Sequence, residues 1–407
     1  MSGPVRVGYL VSRFPAASET FVVRELNEVV READAEVTLM SLFPSSDEFL
    51  HPEAERWLPG LLRPTLGEGL RALGGWLLRR PLATAGLIGR IVADCVRSPR
   101  VLLRSLATVP IAAAHALNAE RLGLDRLHAH FAAYPTLAAW ICHRLCGLPY
   151  SFTAHAYDIF VDQSMLATKV AEAEFVATIS EYNVRFLADH GGGSKTPVHV
   201  VHCGVDPDRY EFRPRSAPVT GEVDVLCVAS LQEKKGHAYL LEALAGGCPE
   251  LERVALDLVG GGELREALER RASELGLAER VRFHGARSEV EVRAMLGNAD
   301  AFVLPSIIGS DGQMEGLPVA LIEALACGLP TVATRMSGVP ELIEEGRTGW
   351  LAEPSDPGEL AAALRRVVEA EPLQLDRGRE LVEREFDVRR SGARMAELFG
   401  APPRRRS

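Results

Sequence analysis

Short apolar, β-prone runs alternate with helical patterns along this chain, and they do so in two separate series. The first series offers strands at Val5–Val11, Ala35–Ser41, Arg126–His130, Tyr150–Thr153, Phe175–Thr178 and Val198–His202, with helices such as Glu19–Glu32 and Tyr134–Leu145 between them. The second offers strands at Val223–Ala229, Ala255–Val259, Val281–His284, Ala301–Leu304 and Thr331–Ala333. Its helices are expected at His237–Ala245, Glu263–Leu275, Glu289–Asn298, Pro318–Ala326 and Asp356–Glu369. Strands separated by helices must run parallel and be covered on both faces, so the fold class is α/β with two Rossmann-like, doubly wound sheets. A segment rich in Pro, Gly and charge, Cys203 to Glu222, reads as the linker between them. The expected layout is residues 1–205, then 206–384, then a C-terminal helix in 385–407 packing back on the first domain and ending in a disordered basic tail. The two domains are expected to face each other across a cleft, with ligands where the strand C-termini open.

Composition narrows the partners. A net charge of -10 disfavours general nucleic-acid binding. Seven cysteines, at 95, 142, 146, 203, 227, 248 and 327, show no metal-ligand spacing and suit a reducing cytoplasm. The N-terminus runs straight into a strand without a signal-peptide pattern, and the uncharged run Ser105–Ala119 is shorter than a spanning helix needs, so no transmembrane segment is expected. One region departs from the overall charge. Nine arginines (56, 63, 71, 79, 80, 90, 97, 100, 104) stand against Glu68 and Asp94, interleaved with apolar residues at helical spacing. This basic helical insertion, about 51–123, could lie on an anionic membrane surface or form solvated helices with apolar faces on the core.

Chemistry concentrates in the second series. Glu315 and Glu323 bracket Gly-Leu-Pro-Val-Ala-Leu-Ile, which reads as a loop entering a short buried helix, with Pro318 in its first turn and Gly328 as its stop. Amides at such a helix start face phosphates, and flanking carboxylates accept from hydroxyls. Glu323 could equally be a buried acid paired with an arginine such as Arg335. Only four of the 45 basic residues are lysines (169, 195, 234, 235), and two are adjacent in Ser230-Leu-Gln-Glu-Lys-Lys-Gly-His237, right after the first strand of this series. A compact ammonium placed there suits a diphosphate. Gly260-Gly261-Gly262 lacks dinucleotide-fingerprint spacing and reads as a tight turn. His128 and His130 alternate on a strand with no evident third ligand, so no metal is expected.

With these pieces in place the chain resembles the glycosyltransferases of the GT-B fold, family 4, and within it the members that build bacterial exopolysaccharides such as colanic acid. The matching residues are Ser18-Glu-Thr-Phe with Arg24-Glu25, Leu127-His-Ala-His-Phe131, Ser151-Phe-Thr-Ala-His-Ala-Tyr-Asp158 and Gly204-Val-Asp206 in the first half. In the second half they are Lys234-Lys-Gly-His237, Val259-Gly-Gly-Gly-Glu263, Phe283-His-Gly285, Glu315-Gly-Leu-Pro through Glu323, Gly338-Val-Pro-Glu-Leu-Ile and Gly349.

The resemblance implies a retaining transfer of sugar from a nucleotide diphosphate sugar to a saccharide, without a metal or other cofactor. The acceptor it implies is a lipid-linked intermediate of exopolysaccharide or cell-envelope glycan synthesis. It implies that Glu315 contacts donor-sugar hydroxyls, Glu323 the ribose, and Lys235 the diphosphate, aided by Gly316, Leu317 and Pro318 at the helix start. His155 would approach the donor sugar, making His155, Lys235 and Glu315 the catalytic set. Glu19, Thr20, His130 and Asp158 would lie on the acceptor side. Many relatives carry an arginine where this chain has Ser230, so either another arginine such as Arg287 substitutes or donor binding is weaker than in those relatives. The location implied is the cytoplasm, at the inner face of the cell membrane. A non-catalytic sugar-nucleotide-binding or scaffold protein, and a GT-B epimerase, are the alternatives.

Overall fold

A computed structural model describes residues 3–16, 19–45, 52–215 and 221–402. The chain divides into two compact units, residues 1–203 with 388–407, and residues 204–387. In the first unit, β1 (Val5–Phe14), β2 (Ala35–Pro44), β3 (Arg126–His130), β4 (Tyr150–Ala154), β5 (Phe175–Thr178) and β6 (Val198–Val200) form one sheet in the order β2-β1-β3-β4-β5-β6. All its pairings are parallel. The second unit holds β7 (Val223–Val228), β8 (Val254–Val259), β9 (Val281–Gly285), β10 (Ala301–Leu304), β11 (Thr331–Thr334) and β12 (Trp350–Ala352) in the order β12-β11-β10-β7-β8-β9, again all parallel. The central strands β4, β5, β10 and β11 are buried along their whole length, as helices on both faces require.

The strand order fixes where ligands fit. Each sheet reverses direction once, between β1 and β3 in the first unit and between β7 and β10 in the second. In doubly wound sheets the crevice at such a reversal, outside the strand C-termini, is the ligand position.

Three sequence expectations change. The strand β12 went unpredicted because three residues are too few to show a period. The Cys203–Glu222 segment is no loose linker where it is described: Tyr210 bonds Glu323 on the helix Val319–Cys327, Phe212 lies against Gly328 at its end, and the Arg213 amide bonds the Cys327 carbonyl at 3.0 Å. The boundaries also fall slightly elsewhere than at 205 and 384, while the helix Val388–Leu398 belongs to the first unit as expected. The basic tail from Arg404, like Ser18, lies outside the described residues.

The basic insertion forms three helices, Leu66–Arg79, Pro81–Cys95 and Pro99–Leu122. The last is 24 residues and, by length and composition, apolar enough to cross a membrane, contrary to the estimate from its uncharged run. Yet 56% of that stretch is buried. Its Ala113 carbonyl accepts from Trp76 Nε1 at 3.0 Å, and its His115 meets the Ser41 carbonyl at 3.1 Å. Those contacts make it a core helix of the unit. Leu78 and Leu82, each 88% exposed, flank Arg79-Arg80-Pro81 at the tip between the first two helices. Arg79 is already engaged by Glu120 and by the Trp76 ring, and Arg80 by the Leu145 carbonyl.

Candidate functional site

In the second unit, three segments leave the sheet at adjacent strand ends and lock together. After β7 the residues Glu233–Lys235 make one 3-10 turn, closed by Gly236 at φ 68°. The loop after β10 crosses this turn. Its Ile307 amide bonds the Lys234 carbonyl at 2.8 Å, Ser310 Oγ bonds Glu233 at 2.6 Å, and Gln313 accepts from Lys234 Nζ at 3.2 Å. Lys235 Nζ reaches Glu315 Oε1 at 2.7 Å. The segment after β11 completes the set, with the Gly338 amide and the Ser337 hydroxyl both donating to the Gly316 carbonyl at 3.1 and 2.9 Å.

The Lys235–Glu315 pair is largely shielded, with side chains 16% and 12% exposed. Burial pushes the Glu315 pKa up, but the Lys235 ammonium, its hydrogen bond and Lys234 outweigh this and leave it lowered. The carboxylate is therefore held ionised beside two ammonium groups. Among the described residues the amides of Gly316 and Leu317 carry no protein hydrogen bond, so both remain available to an anion.

Pro318 occupies the N-cap of the helix Val319–Cys327 rather than its first turn, and Gly328 ends the helix at φ 75°. Glu323 is half-buried within it and accepts from the Tyr210 hydroxyl at 2.8 Å. Arg335, the partner considered above, bonds Glu345 and Glu353 instead. Ser230 Oγ turns to Gln232 at 3.2 Å. Arg287 makes a poor replacement for the missing arginine: it follows β9, two strands from β7 or roughly 10 Å, and its guanidinium holds Glu291 at 3.2 Å. Lys234 is the second cation beside Glu315. The adjacency of two rare lysines had signalled it, although only Lys235 drew a role.

Gly260 and Gly262 are explained by backbone contact, as a tight turn should be. A Cβ on them would lie 1.9 Å from the Ala229 carbonyl oxygen and 2.4 Å from that of Leu231. His237, directly after Gly236, is buried with neither ring nitrogen bonded among the described residues. Burial, then the Lys235 charge, lowers its pKa to about 4.

The first unit gathers its histidines at the reversal between β1 and β3. His130 is fully buried, with Nε2 3.1 Å from Glu25 Oε1 and Nδ1 3.3 Å from His155 Nε2. It therefore stands behind His155, which corrects its placement on the acceptor side. Asp158 is corrected likewise. It has no exposed surface, and its carboxylate accepts from the amides of Ala132, His155 and Ala156 at 2.6–3.1 Å, shaping the turn that carries His155. His155 itself is 6% exposed, with Nδ1 3.9 Å from Cys203 Sγ. Glu19 is the N-cap and Thr20 the first residue of the helix Thr20–Glu32, which follows β1.

Glu25, noted in the sequence only as part of Arg24-Glu25, drew no role there. It approaches His128 and His130 closely enough that the three could in principle share a cation. Both His128 nitrogens, however, are taken by the Ser151 and Thr153 hydroxyls at 2.9 and 3.0 Å. Only its place four residues before Val29 on an otherwise core-facing helix side hinted at an inward carboxylate.

Comparison with known proteins agrees with this geometry. The profile of the group 1 glycosyl transferases matches residues 208–381, and that of glycosyltransferase family 4 matches residues 20–209. A protein of Escherichia coli (strain K12), WcaL, provisionally named a colanic acid biosynthesis glycosyltransferase, is 28% identical over 98% of this chain and 100% of its own. The amylovoran biosynthesis glycosyltransferase AmsK of Erwinia amylovora is 37% identical over 50% of each chain. Among solved structures, Anabaena Alr3699/HepE in complex with UDP and glucose superposes with a TM-score of 0.72 at 18% identity, covering 97% of this chain and 99% of that one. Matched by both profiles in tandem and built on two parallel six-stranded sheets, the chain belongs to glycosyltransferase family 4 and is a glycosyltransferase of the GT-B fold.

Proposed function

We propose that this glycosyltransferase moves a sugar, with retention of configuration, from a nucleoside diphosphate sugar to a saccharide acceptor in exopolysaccharide or cell-envelope glycan synthesis. The observation that carries the reading is the Lys235–Glu315 pair at the strand reversal of the second unit, beside the amides of Gly316 and Leu317, which carry no hydrogen bond among the described residues. A diphosphate leaving group gains negative charge as the glycosidic bond breaks. Lys235 and Lys234 meet that charge, together with the amides at the helix start, in a largely shielded setting that strengthens the attraction. Lys234 thereby takes the share that an arginine at position 230 carries in many relatives. Glu315 holds Lys235 in place and offers its second oxygen to a sugar hydroxyl. Glu323, its other side fixed by Tyr210, accepts from the ribose hydroxyls. In this account no step needs a metal.

The direct test measures release of free nucleoside diphosphate from UDP-, GDP- and dTDP-sugars in the presence of a saccharide acceptor. One donor should turn over well above the rest. No release from any of them would overturn the reading in favour of a binding or scaffold protein. Tyr210→Phe should weaken donor binding about fivefold, the value of one hydrogen bond, with kcat nearly unchanged.

The acceptor in this reading is lipid-linked, and the cytoplasmic membrane face is where the protein works. Support comes from the exposed Leu78 and Leu82 tip and from Arg97 and Arg100, which have no ion pair among the described residues. Sedimentation with anionic vesicles tests it. The Leu78→Ser/Leu82→Ser double variant and the Arg97→Ser/Arg100→Ser double variant should each lose about tenfold in partitioning. Unchanged sedimentation of both would remove the membrane from the proposal.

A further inference from the structure

At the strand reversal of the first unit, a file of buried and half-buried polar side chains runs from β1 through the helix Thr20–Glu32 to the ends of β3 and β4. The Tyr9 hydroxyl lies 3.2 Å from Glu25 Oε1, and His130 Nε2 lies 3.1 Å from the same oxygen. His130 Nδ1 is 3.3 Å from His155 Nε2, and His155 Nδ1 is 3.9 Å from Cys203 Sγ. Tyr9 and His130 have no exposed surface.

The file has a direction, because its members differ in what they can give. A carboxylate only accepts, so both groups on Glu25 Oε1 must donate. Burial, then the Glu25 charge, drives the Tyr9 pKa up, so Tyr9 remains a phenol and donates. As a neutral imidazole, His130 then carries its proton on Nε2, and its Nδ1 is left as an acceptor. Only His155 can supply that contact, from an Nε2 proton. A neutral imidazole has one N–H, so His155 Nδ1 is bare.

We propose that Glu25 and His130 are positioning residues that fix the His155 proton on Nε2, turned inward, and so present Nδ1 to a saccharide hydroxyl as a hydrogen-bond acceptor. The assignment of the proton rests on these contacts alone, and the saccharide role rests on the transfer reading above. Burial holds the His155 pKa well below 6.5, which keeps the ring neutral. A neutral ring with an inward proton can orient a hydroxyl or draw on its proton, but it cannot protonate a leaving group. Cys203 competes weakly for Nδ1. Burial first, then Glu25, raises its pKa, so it stays a thiol, and a thiol at 3.9 Å is a poor donor that a sugar hydroxyl displaces.

The proton can be located without any substrate. Long-range proton–nitrogen NMR spectra of protein with 15N-labelled histidine report which ring nitrogen bears hydrogen, and His155→Asn identifies the His155 signals. The wild type should show His155 protonated at Nε2. Glu25→Gln keeps an acceptor oxygen, so it should retain that pattern and a kcat within about threefold. Glu25→Leu removes the acceptor, so Tyr9 turns to His130 Nε2, and the protons on both histidines move to Nδ1. Its His155 signals should invert, and kcat should fall about 10–100-fold with donor KM unchanged. A His155 proton on Nδ1 in the wild type overturns the proposal, and that spectrum does not depend on any variant folding. An unchanged His155 pattern in a folded Glu25→Leu protein overturns it too. The expected wild-type pattern without sugar transfer would sink the saccharide role and leave the proton assignment standing.

Discussion

Lys235→Ala will lower kcat/KM for sugar transfer about 10²–10³-fold, the usual cost of removing one preorganised group that meets developing charge. The same substitution will also destabilise the second unit at neutral pH. With its ammonium gone, Glu315 keeps its burial and loses the contact at 2.7 Å that offset it. The pair retains some exposure, so the loss is about 2 kcal/mol, below the 3–5 kcal/mol of a fully buried pair. The pH dependence has a definite sign. In the wild type the Glu315 pKa is lowered by folding, so its contribution to stability is present above the unfolded carboxylate pKa and is lost as pH falls through the folded value. In Lys235→Ala burial outweighs the weaker pull of Lys234, and the folded pKa rises above the unfolded one. Its stability deficit should therefore be present at neutral pH and shrink on acidification. Lys235→Ala/Glu315→Gln should recover most of the lost stability, because no buried charge is left unpaired, yet transfer should remain as slow as in the single variant. Thermal unfolding between pH 4 and 8, beside initial rates, separates the two effects. If the double variant recovers neither stability nor pH dependence, Glu315 is not the group that Lys235 compensates.

Much of this arrangement was legible in the chain itself. The sheets were visible because buried parallel strands are continuous apolar runs, so Phe175–Thr178 and Ala301–Leu304 show their limits directly. The donor-side residues were visible for another reason. Lysine is rare here, and a glutamate inside Val-Ala-Leu-Ile-Glu-Ala-Leu has no business on an apolar helix without a partner. The identity of that partner was hidden. Tyr210 is 113 positions away, in a stretch whose prolines and charges resemble a linker, and nothing local marks it as docked on the helix Val319–Cys327. The contact between Glu25 and His130 was hidden in the same way, since a hydrogen bond spanning 105 positions leaves no period in the sequence. Arg287 failed as a substitute cation because linear order does not reveal strand order. Only the sheet shows β9 two places from β7 and puts Lys234 beside Glu315 instead.

Gly236→Ala should be the most damaging single-methyl change in the second unit, and the reason is the same crossing that builds the site. Gly236 has φ 68°, where a side chain costs about 1 kcal/mol on its own. A Cβ at this position would also sit 1.8 Å from the Pro305 carbonyl oxygen and 2.9 Å from its carbon. Those are backbone atoms at the exit of β10, so relief cannot come from a rotating side chain. The loop that carries Gln313 and Glu315 must lift away from Lys234 and Lys235. Strain and displaced packing together should cost about 2–4 kcal/mol, a fall in Tm on the order of 10 °C for a unit of this size. Nucleoside diphosphate affinity should drop with it, since the lysines and the amides of Gly316 and Leu317 lose their common register. Gly312 supplies the control within the same loop. Its φ of 81° is in the same region, but a Cβ there meets nothing within 4 Å, so Gly312→Ala should show only the backbone cost of about 1 kcal/mol and bind ligand normally. Equal losses in the two variants would mean that backbone strain alone accounts for Gly236, and that the crossing of the β10 loop over the lysine turn does not hold the site together.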